Sequence, residues 1–423
     1  MKAYNAKDIR NIAIAGHSGR GKTTLAEAML FLAKATDRLG RVADGNTVLD
    51  FDAEEKRRKV TIATAMAAFD WNNTKINLLD TPGLFDFAGG VSEGMRAAES
   101  ALIVLAAGSG VDVGAEKAYK AASERKIAKL FAVTRCDAEN TDFYKTFDAL
   151  KEEYGAPVCP VVVPYMEGDA VKGYVDFSTG KAYAYNGGKA SEIAMPADDR
   201  IEEMKEVFNE AVASADEELM EKFFEGEALT TEEIAKGLKA GIIAGDIYPV
   251  YACSGYTTDG VDLLLNGIVS AAPDAASCAG EGDIKCDENG ALAAICFKTV
   301  ADPFVGKMSF FKVVSGKITS DTPAYNARTG ESERMGKIIT LKGAKQEDSA
   351  CIPAGDIGVV TKLSGFKTGD TLCAPKADIE LAGVNFPKPC LPMAVKARKK
   401  GEEDKIAAGL NRLAEEDLTI SYT

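Results

Sequence analysis

Gly16-His17-Ser18-Gly19-Arg20-Gly21-Lys22-Thr23 decides how the first part of this chain is read. It fits the pattern G-x-x-x-x-G-K-[ST], in which glycines let the backbone curl around phosphates with its N–H groups pointing inward. In that pattern Lys22 reaches the β- and γ-phosphates and the Thr23 hydroxyl takes Mg²⁺, with His17, Ser18, Gly19, Arg20, Gly21 and Thr24 completing the cradle. The flanks agree. Asn11–Ala15 is an apolar run that reads as a buried strand, and Thr24–Leu30 puts Leu25, Met29 and Leu30 on one helical face. A helix start behind the loop adds positive potential where phosphates would sit. A chance match in a glycine-rich turn does not account for both flanks.

At 423 residues the chain exceeds one ordinary core, so two to four domains are expected. Hydrophobic residues make up 46%, enough for packed cores, and no apolar run approaches the ~20 residues of a membrane span. Met1-Lys2-Ala3-Tyr4-Asn5 carries no leader-like apolar stretch, so a cytoplasmic protein with no membrane attachment is expected. A net charge of −14 argues against broad nucleic-acid binding, DNA included, although a local basic face remains compatible with it. Nine scattered cysteines without a C-x-x-C pair, and a single histidine, leave a zinc site without ligands and predict free thiols.

Residues 1 to about 157 alternate strand and helix, which predicts a largely parallel sheet covered on both faces. Strands are expected at Asn11–Ala15, Met66–Phe69, Ile76–Leu79, Ala101–Leu105 and Leu130–Val133, with helices starting near Lys22, Val91, Gly114 and Asp142. The alternation breaks over about 158–248, read as an insertion. It holds short strands at Val171–Phe177 and Ala182–Tyr185, then acidic helices on which Ile201, Met204, Val207, Phe208 and Ala211 recur at helical spacing. Ile247–Ala252 reads as a return strand, and helix Val261–Ala271 with Pro273 closes a phosphate-loop domain at 1–273.

Residues 274–288, rich in Ala, Gly and Asp, read as a linker. Over 288–376, strands at Ala291–Lys298, Gly306–Val314, Lys337–Leu341 and Gly355–Leu363 between glycine turns predict a β-barrel domain. After a linker from Pro375 to Pro389, residues 390–423 read strand, helix, strand (Met393–Ala397, Glu402–Glu415, Leu418–Tyr422). That is half of a β-α-β-β-α-β unit, an incomplete ferredoxin-like α+β domain. The expectation is a shortened chain or gene. The predicted class is therefore α/β, a mostly parallel sheet with an α+β insertion, followed by a barrel and a partial third domain.

The second chemical signal is Leu78-Leu79-Asp80-Thr81-Pro82-Gly83, an apolar strand ending in D-T-P-G. Asp80 at the strand end holds Mg²⁺ through water, and Gly83 offers its N–H to the γ-phosphate with no Cβ in the way. Between the two motifs runs a polar stretch, Ala35 to Thr64, in which Thr61 is placed to close over Mg²⁺ and the γ-phosphate. The basic run Lys56–Lys59 within it either faces phosphate or is a solvated loop; the sequence leaves both open.

In this order the motifs resemble those of the translational GTPases, elongation factor G most closely. Glu217–Glu227 resembles the helical insertion of that factor. Ala301-Asp302-Pro303-Phe304-Val305-Gly306-Lys307, Ala354–Ile357 and Thr368–Leu372 resemble its barrel domain, and Leu413–Asp417 its third domain. The resemblance spans essentially the whole chain. It implies a monomeric GTP/GDP- and Mg²⁺-binding protein with the ribosome as partner, and places the family's fourth and fifth domains outside this sequence. It implies cation binding by Thr23, Thr61 and Asp80, and catalytic roles for Thr61 and Gly83.

Departures from the family pattern bear directly on chemistry. Its Asn-Lys-x-Asp guanine motif reads Thr134-Arg135-Cys136-Asp137 here. Asp137 still accepts both guanine N–H donors and the Arg135 stem can lie over the base, but Thr134 has one hydroxyl in place of an amide. That difference is worth about 0.5–1.5 kcal/mol of affinity. Ser254-Gly255 resembles the family's loop at the guanine oxygen, although Ser254 also reads as a plain helix-capping turn. Leu84 stands where the family has the histidine that positions attacking water, and leucine has no polar atom to do so. His17, the only histidine, lies in the phosphate loop, and Gly19 replaces a family aspartate. The combination resembles a divergent set of factor-G-like paralogues. Two readings follow: a ribosome-acting GTPase with slow or altered hydrolysis, and a non-hydrolysing nucleotide-dependent module that binds, regulates or protects the ribosome.

Overall fold

The structure, a computed structural model, describes residues 4–168, 170–302, 305–375, 377, 379–399 and 401–423. Pro303 and Phe304 of the 301–307 stretch, and Met1–Ala3, lie outside them.

The chain opens with β1 (Ile9–Ala15), α1 (Lys22–Leu32), α2 (Ala53–Arg58), β2 (Ala65–Trp71), β3 (Thr74–Asp80), α3 (Ala88–Ala97), β4 (Ser100–Ala106), α4 (Val113–Arg125), β5 (Ala128–Thr134) and α5 (Phe143–Tyr154). It continues with β6 (Val158–Glu167), β7 (Ala170–Asp176), β8 (Lys181–Asn186), β9 (Lys189–Ile193), α6 (Asp199–Ala213), α7 (Glu217–Phe224), α8 (Thr231–Ala244), β10 (Tyr248–Ala252) and α9 (Val261–Ala271). Parallel pairing runs β3-β1-β4-β5-β10-β6, with antiparallel β2 at one side and β7, β8 and β9 at the other. Strand β1 is buried along its whole length because both faces are covered, which is why Ile12–Ala15 reads as a continuous apolar run, while Arg10 and Asn11 are buried with polar partners. Its neighbours β3 and β4 follow it in the chain on opposite sides. The crevice beyond its C-terminal end is therefore a topological switch point, the usual ligand position in such sheets. The segment read as inserted begins inside the sheet: β6 pairs in parallel with β10 from Tyr248↔Val158 onward before the chain departs into β7–β9 and α6–α8.

The 274–288 stretch is not merely extended. It forms the short helix α10 (Ala275–Cys278), and Ala275 and Ala279 pack on Ile9. The β-rich unit follows: β11 (Ala293–Asp302), β12 (Gly306–Ser315), β13 (Lys317–Thr319), β14 (Ala324–Asn326), β15 (Glu331–Glu333), β16 (Ile338–Lys342), β17 (Lys345–Asp348), β18 (Cys351–Pro353), β19 (Ile357–Thr361) and β20 (Thr371–Cys373). All its pairings are antiparallel, around a core that includes Phe311, Phe366, Val313, Ile352 and Leu372. The mixed α/β class, a parallel core followed by a β-rich part, is as expected.

The last segment departs from expectation in one respect. Helix α11 (Glu403–Glu416) forms, but 393–397 and 418–422 are not strands. Met393 and Val395 are 80% and 61% exposed, so the apolar alternation there has no facing layer to bury against, and no ladder partner is present among the described residues.

The seam between the α/β and β-rich parts is polar and buried. Lys75 Nζ donates to Asp356 Oδ2 at 2.7 Å, Lys312 Nζ pairs with Glu99 Oε1 at 2.6 Å, and Lys298 Nζ pairs with Glu93 Oε2 at 3.1 Å. Asn11 Nδ2 donates to Glu99 Oε2 at 2.7 Å and to the Gly355 carbonyl at 2.8 Å; Asn77 Nδ2 donates to Asn11 Oδ1 at 2.7 Å and to Asp356 Oδ1 at 2.9 Å. Every charge has a partner, as burial demands; removing one member of such a pair costs about 3–5 kcal/mol. All nine cysteines are free.

Candidate functional site

The loop 16–23 leaves the end of β1 and feeds α1, whose N-cap Gly21 has φ 90°. Ser18 N–H donates to the Gly83 carbonyl at 3.1 Å, closing the loop on the D-T-P-G segment. Gly83 is there because nothing larger fits: a Cβ would stand 2.2 Å from Lys22 Nζ and 2.7 Å from Ser18 N. Lys22 Nζ donates to the Gly16 and His17 carbonyls, both at 3.0 Å, and burial lowers its pKa against the opposing pull of Asp80, Asp112 and Asp50. Ser18, Gly19, Gly21, Lys22, Thr23, Thr24, Thr61, Gly83 and Arg135 line one cleft of 210 Å³ with Val42, Asp50, Lys59 and Val60.

At the floor of this cleft, Thr23 Oγ1 donates to Asp80 Oδ2 at 2.7 Å and Thr61 Oγ1 donates to Asp50 Oδ1 at 2.8 Å. The two hydroxyl oxygens lie 3.0 Å apart, each also within hydrogen-bond distance of a carboxylate, so four oxygens meet at one point. Asp80 Oδ1 is buried with no hydrogen-bond partner among the described residues. Burial, then the charge of Asp50, pushes the Asp80 carboxyl up to about 7; Asp50 is raised as well, first by burial. An all-oxygen donor set with an orphaned carboxylate oxygen fits a hard divalent cation such as Mg²⁺.

Asp50 carries no signal of its own in the sequence, although it completes this cluster. It lies among Asp44, Asp52, Glu54 and Glu55, and only its spacing ahead of Thr61 distinguishes it. Two buried carboxylates hold the segment in place. Glu27 Oε1 accepts from Val48 N (2.7 Å) and Leu49 N (3.0 Å), and Glu55 Oε1 accepts from Ile62 N (3.0 Å) and Ala63 N (3.3 Å).

Leu84 lines a different, adjacent cleft of 270 Å³, with Phe85, Ala88, Val91, Ala118 and Ala121. His17 stays at the phosphate loop, its ring edge-on to Phe85 at 5.7 Å, while Lys117 Nζ lies 3.7 Å from the centre of the same Phe85 ring. Arg20 turns outward to Asp112 at 2.8 Å.

At the other end, Thr134 is buried and its Oγ1 lies 2.8 Å from the Arg20 carbonyl and 3.0 Å from the Leu105 carbonyl, so its single proton ties β5 to the phosphate loop and β4. Arg135 (φ 62°) donates to the Gly19 carbonyl, and Asp137 is exposed beside it. Ser254 Oγ accepts from Tyr256 N (3.2 Å) and Thr257 N (3.1 Å), the turn role that its sequence also allowed. Gly255 abuts α1, where a Cβ would meet Leu25 N at 2.9 Å. Arg41 stacks on Tyr256 at 3.9 Å, joining the 35–64 segment to this loop.

Family models match along the chain: the elongation factor Tu GTP binding domain over residues 7–274, elongation factor G domain 2 over 291–375, and elongation factor G domain III over 386–423. The chain belongs to the translational GTPases of elongation factor G type. A crystal structure of a Thermus thermophilus protein is similar at 30% identity and a TM-score of 0.89, covering 98% of this chain. This factor-G-type chain spans 62% of the length of that protein. Among its described residues, no helix is long and apolar enough to cross a membrane.

Proposed function

We propose that this factor-G-type chain binds GTP and GDP with Mg²⁺ and acts on the ribosome in translation, with hydrolysis slowed by Leu84. The observation that carries the nucleotide reading is the Thr23–Asp80–Thr61–Asp50 cluster behind the phosphate loop. Mg²⁺ held by these residues would supply positive charge to the phosphates. Lys22 neutralises phosphate charge, Gly83 N–H faces the γ-phosphate, and Thr61 closes the 35–64 segment over it. Asp137 accepts the guanine N–H donors, with Thr134 and Ser254 acting through the loops they hold.

The hydrolytic step depends on orienting a water, a contribution of about 10²–10⁴-fold when a side chain supplies it. Leu84 has no polar atom and lines a cleft beside α4 rather than the phosphate cleft, which favours a second reading: a nucleotide-dependent ribosome-binding module without useful turnover. Phosphate release measured with and without ribosomes, for the native chain and Leu84→His, separates the two. Stimulated release by the native chain supports the GTPase. Stimulation only after the histidine is introduced supports the module. Absence of guanine-nucleotide binding by the native chain rejects both.

A further inference from the structure

The run Lys56–Lys59 is divided by the end of a helix. Arg57 and Arg58 both pair with Glu54 on the exposed side of α2. Lys59, exposed like them, makes no ion pair with Glu54. It caps α2 in the left-handed region (φ 59°, ψ 35°), its N–H donating to the Glu55 carbonyl at 2.7 Å, and it lines the phosphate cleft. A lysine held in this conformation carries a backbone cost that glycine would avoid, so the position is costly for what it presents. Among the described residues no ion pair occupies its ammonium.

Charge in the cleft points to its use. The phosphate loop, Gly16 to Thr23, contains two cations and no acid, and Arg20 is engaged with Asp112, so only Lys22 faces inward. Arg135 also lines the cleft, but its guanidinium is engaged with the Gly19 carbonyl, so a triphosphate with one divalent cation keeps negative charge that Lys22 alone does not neutralise. Lys59 lines the cleft together with Gly83 and Thr61, the residues assigned to the terminal phosphate, and with Arg135, whereas Asp137 and Ser254 do not line it. We propose that Lys59 is a direct cationic contact to the terminal phosphate, delivered by the 35–64 segment, which makes the closed cleft prefer a nucleoside triphosphate to the diphosphate. The proposal rests on the guanine-nucleotide reading of the site.

The test is calorimetric titration of the nucleotide-free chain with Mg²⁺ and either GDP or a non-hydrolysable GTP analogue. Lys59→Gly removes the charge and relieves the left-handed backbone, so its melting temperature without nucleotide should not fall. Loss of one charge-assisted contact should weaken triphosphate binding by roughly ten- to a hundredfold while GDP affinity stays within about twofold. Lys59→Arg should retain the preference, and Arg58→Gln, on the outer face, should match the native chain. Equal weakening of both nucleotides by Lys59→Gly, or no change in either, overturns the proposal while leaving the site reading intact. Failure of the native chain to bind either nucleotide overturns the site reading and this proposal together.

Discussion

The two ends of the nucleotide cleft are built differently. At the phosphate end the functional side chains bond to one another: Thr23 to Asp80, Thr61 to Asp50, and Lys22 to the loop it serves. At the base end they are spent on scaffolding. Thr134 fastens β5 to the phosphate loop and Ser254 fastens its own turn, while Asp137 is left exposed beside them. A preassembled phosphate cradle with a sparse base reader should bind tightly through phosphates and discriminate through a single carboxylate.

The largest effect should come from Lys22→Ala. Removing the buried counter-charge should abolish binding of both GDP and GTP, and unchanged GDP affinity would overturn the phosphate end. Next, Asp137→Asn should invert base preference from guanine toward xanthine, because the acceptors for the guanine N–H groups are lost; retained guanine preference in a competition titration would show that Asp137 is not the reader. Thr134→Val should be milder. It removes a hydrogen bond worth about 0.5–1.5 kcal/mol, and because that bond anchors the phosphate loop, GTP and inosine triphosphate should weaken alike. A change in base selectivity would instead put the hydroxyl on the base.

The pH dependence divides the ends further. Asp80 and, at the seam, Glu93 are both raised to about 7, each chiefly by burial. Between their unfolded values near 4 and about 7, the folded chain holds more protons than the unfolded one. Stability without ligand should therefore rise as pH falls through this window. Mg²⁺-nucleotide binding, which needs Asp80 ionised, should weaken over the same window. Melting curves with and without Mg²⁺-GDP, at pH values from about 5 to 8, should converge at the acid end. Asp80→Asn should flatten much of the ligand-free trend, and parallel curves would show that Asp80 does not titrate there.

The phosphate loop, D-T-P-G and the alternating strands of the α/β part were legible because local pattern and long-range role coincide: Ile12–Ala15 of β1 and Leu78–Leu79 of β3 are apolar and buried, and glycines stand where backbones must approach. Asp50 was not, since nothing local separates it from neighbouring acids; only the fold brings it to Thr61. Nothing local in the sequence marks Lys75, Lys298 and Lys312 as buried, and their burial depends on acids 281, 205 and 213 positions away (356 − 75, 298 − 93 and 312 − 99). The expected strands at 393–397 and 418–422 failed for the converse reason: their pattern was right for a strand, but a strand also needs a neighbour.

The buried polar seam also constrains ancestry and engineering. Asn11, Lys75, Asn77 and Glu99 on one side fit Lys312, Gly355 and Asp356 on the other as a key fits its lock. Exchanging either half for that of a distant relative should leave buried charges unpaired unless the opposite residues travel with it. Recombination at the 274–288 junction should therefore be inherited as a matched set or not at all.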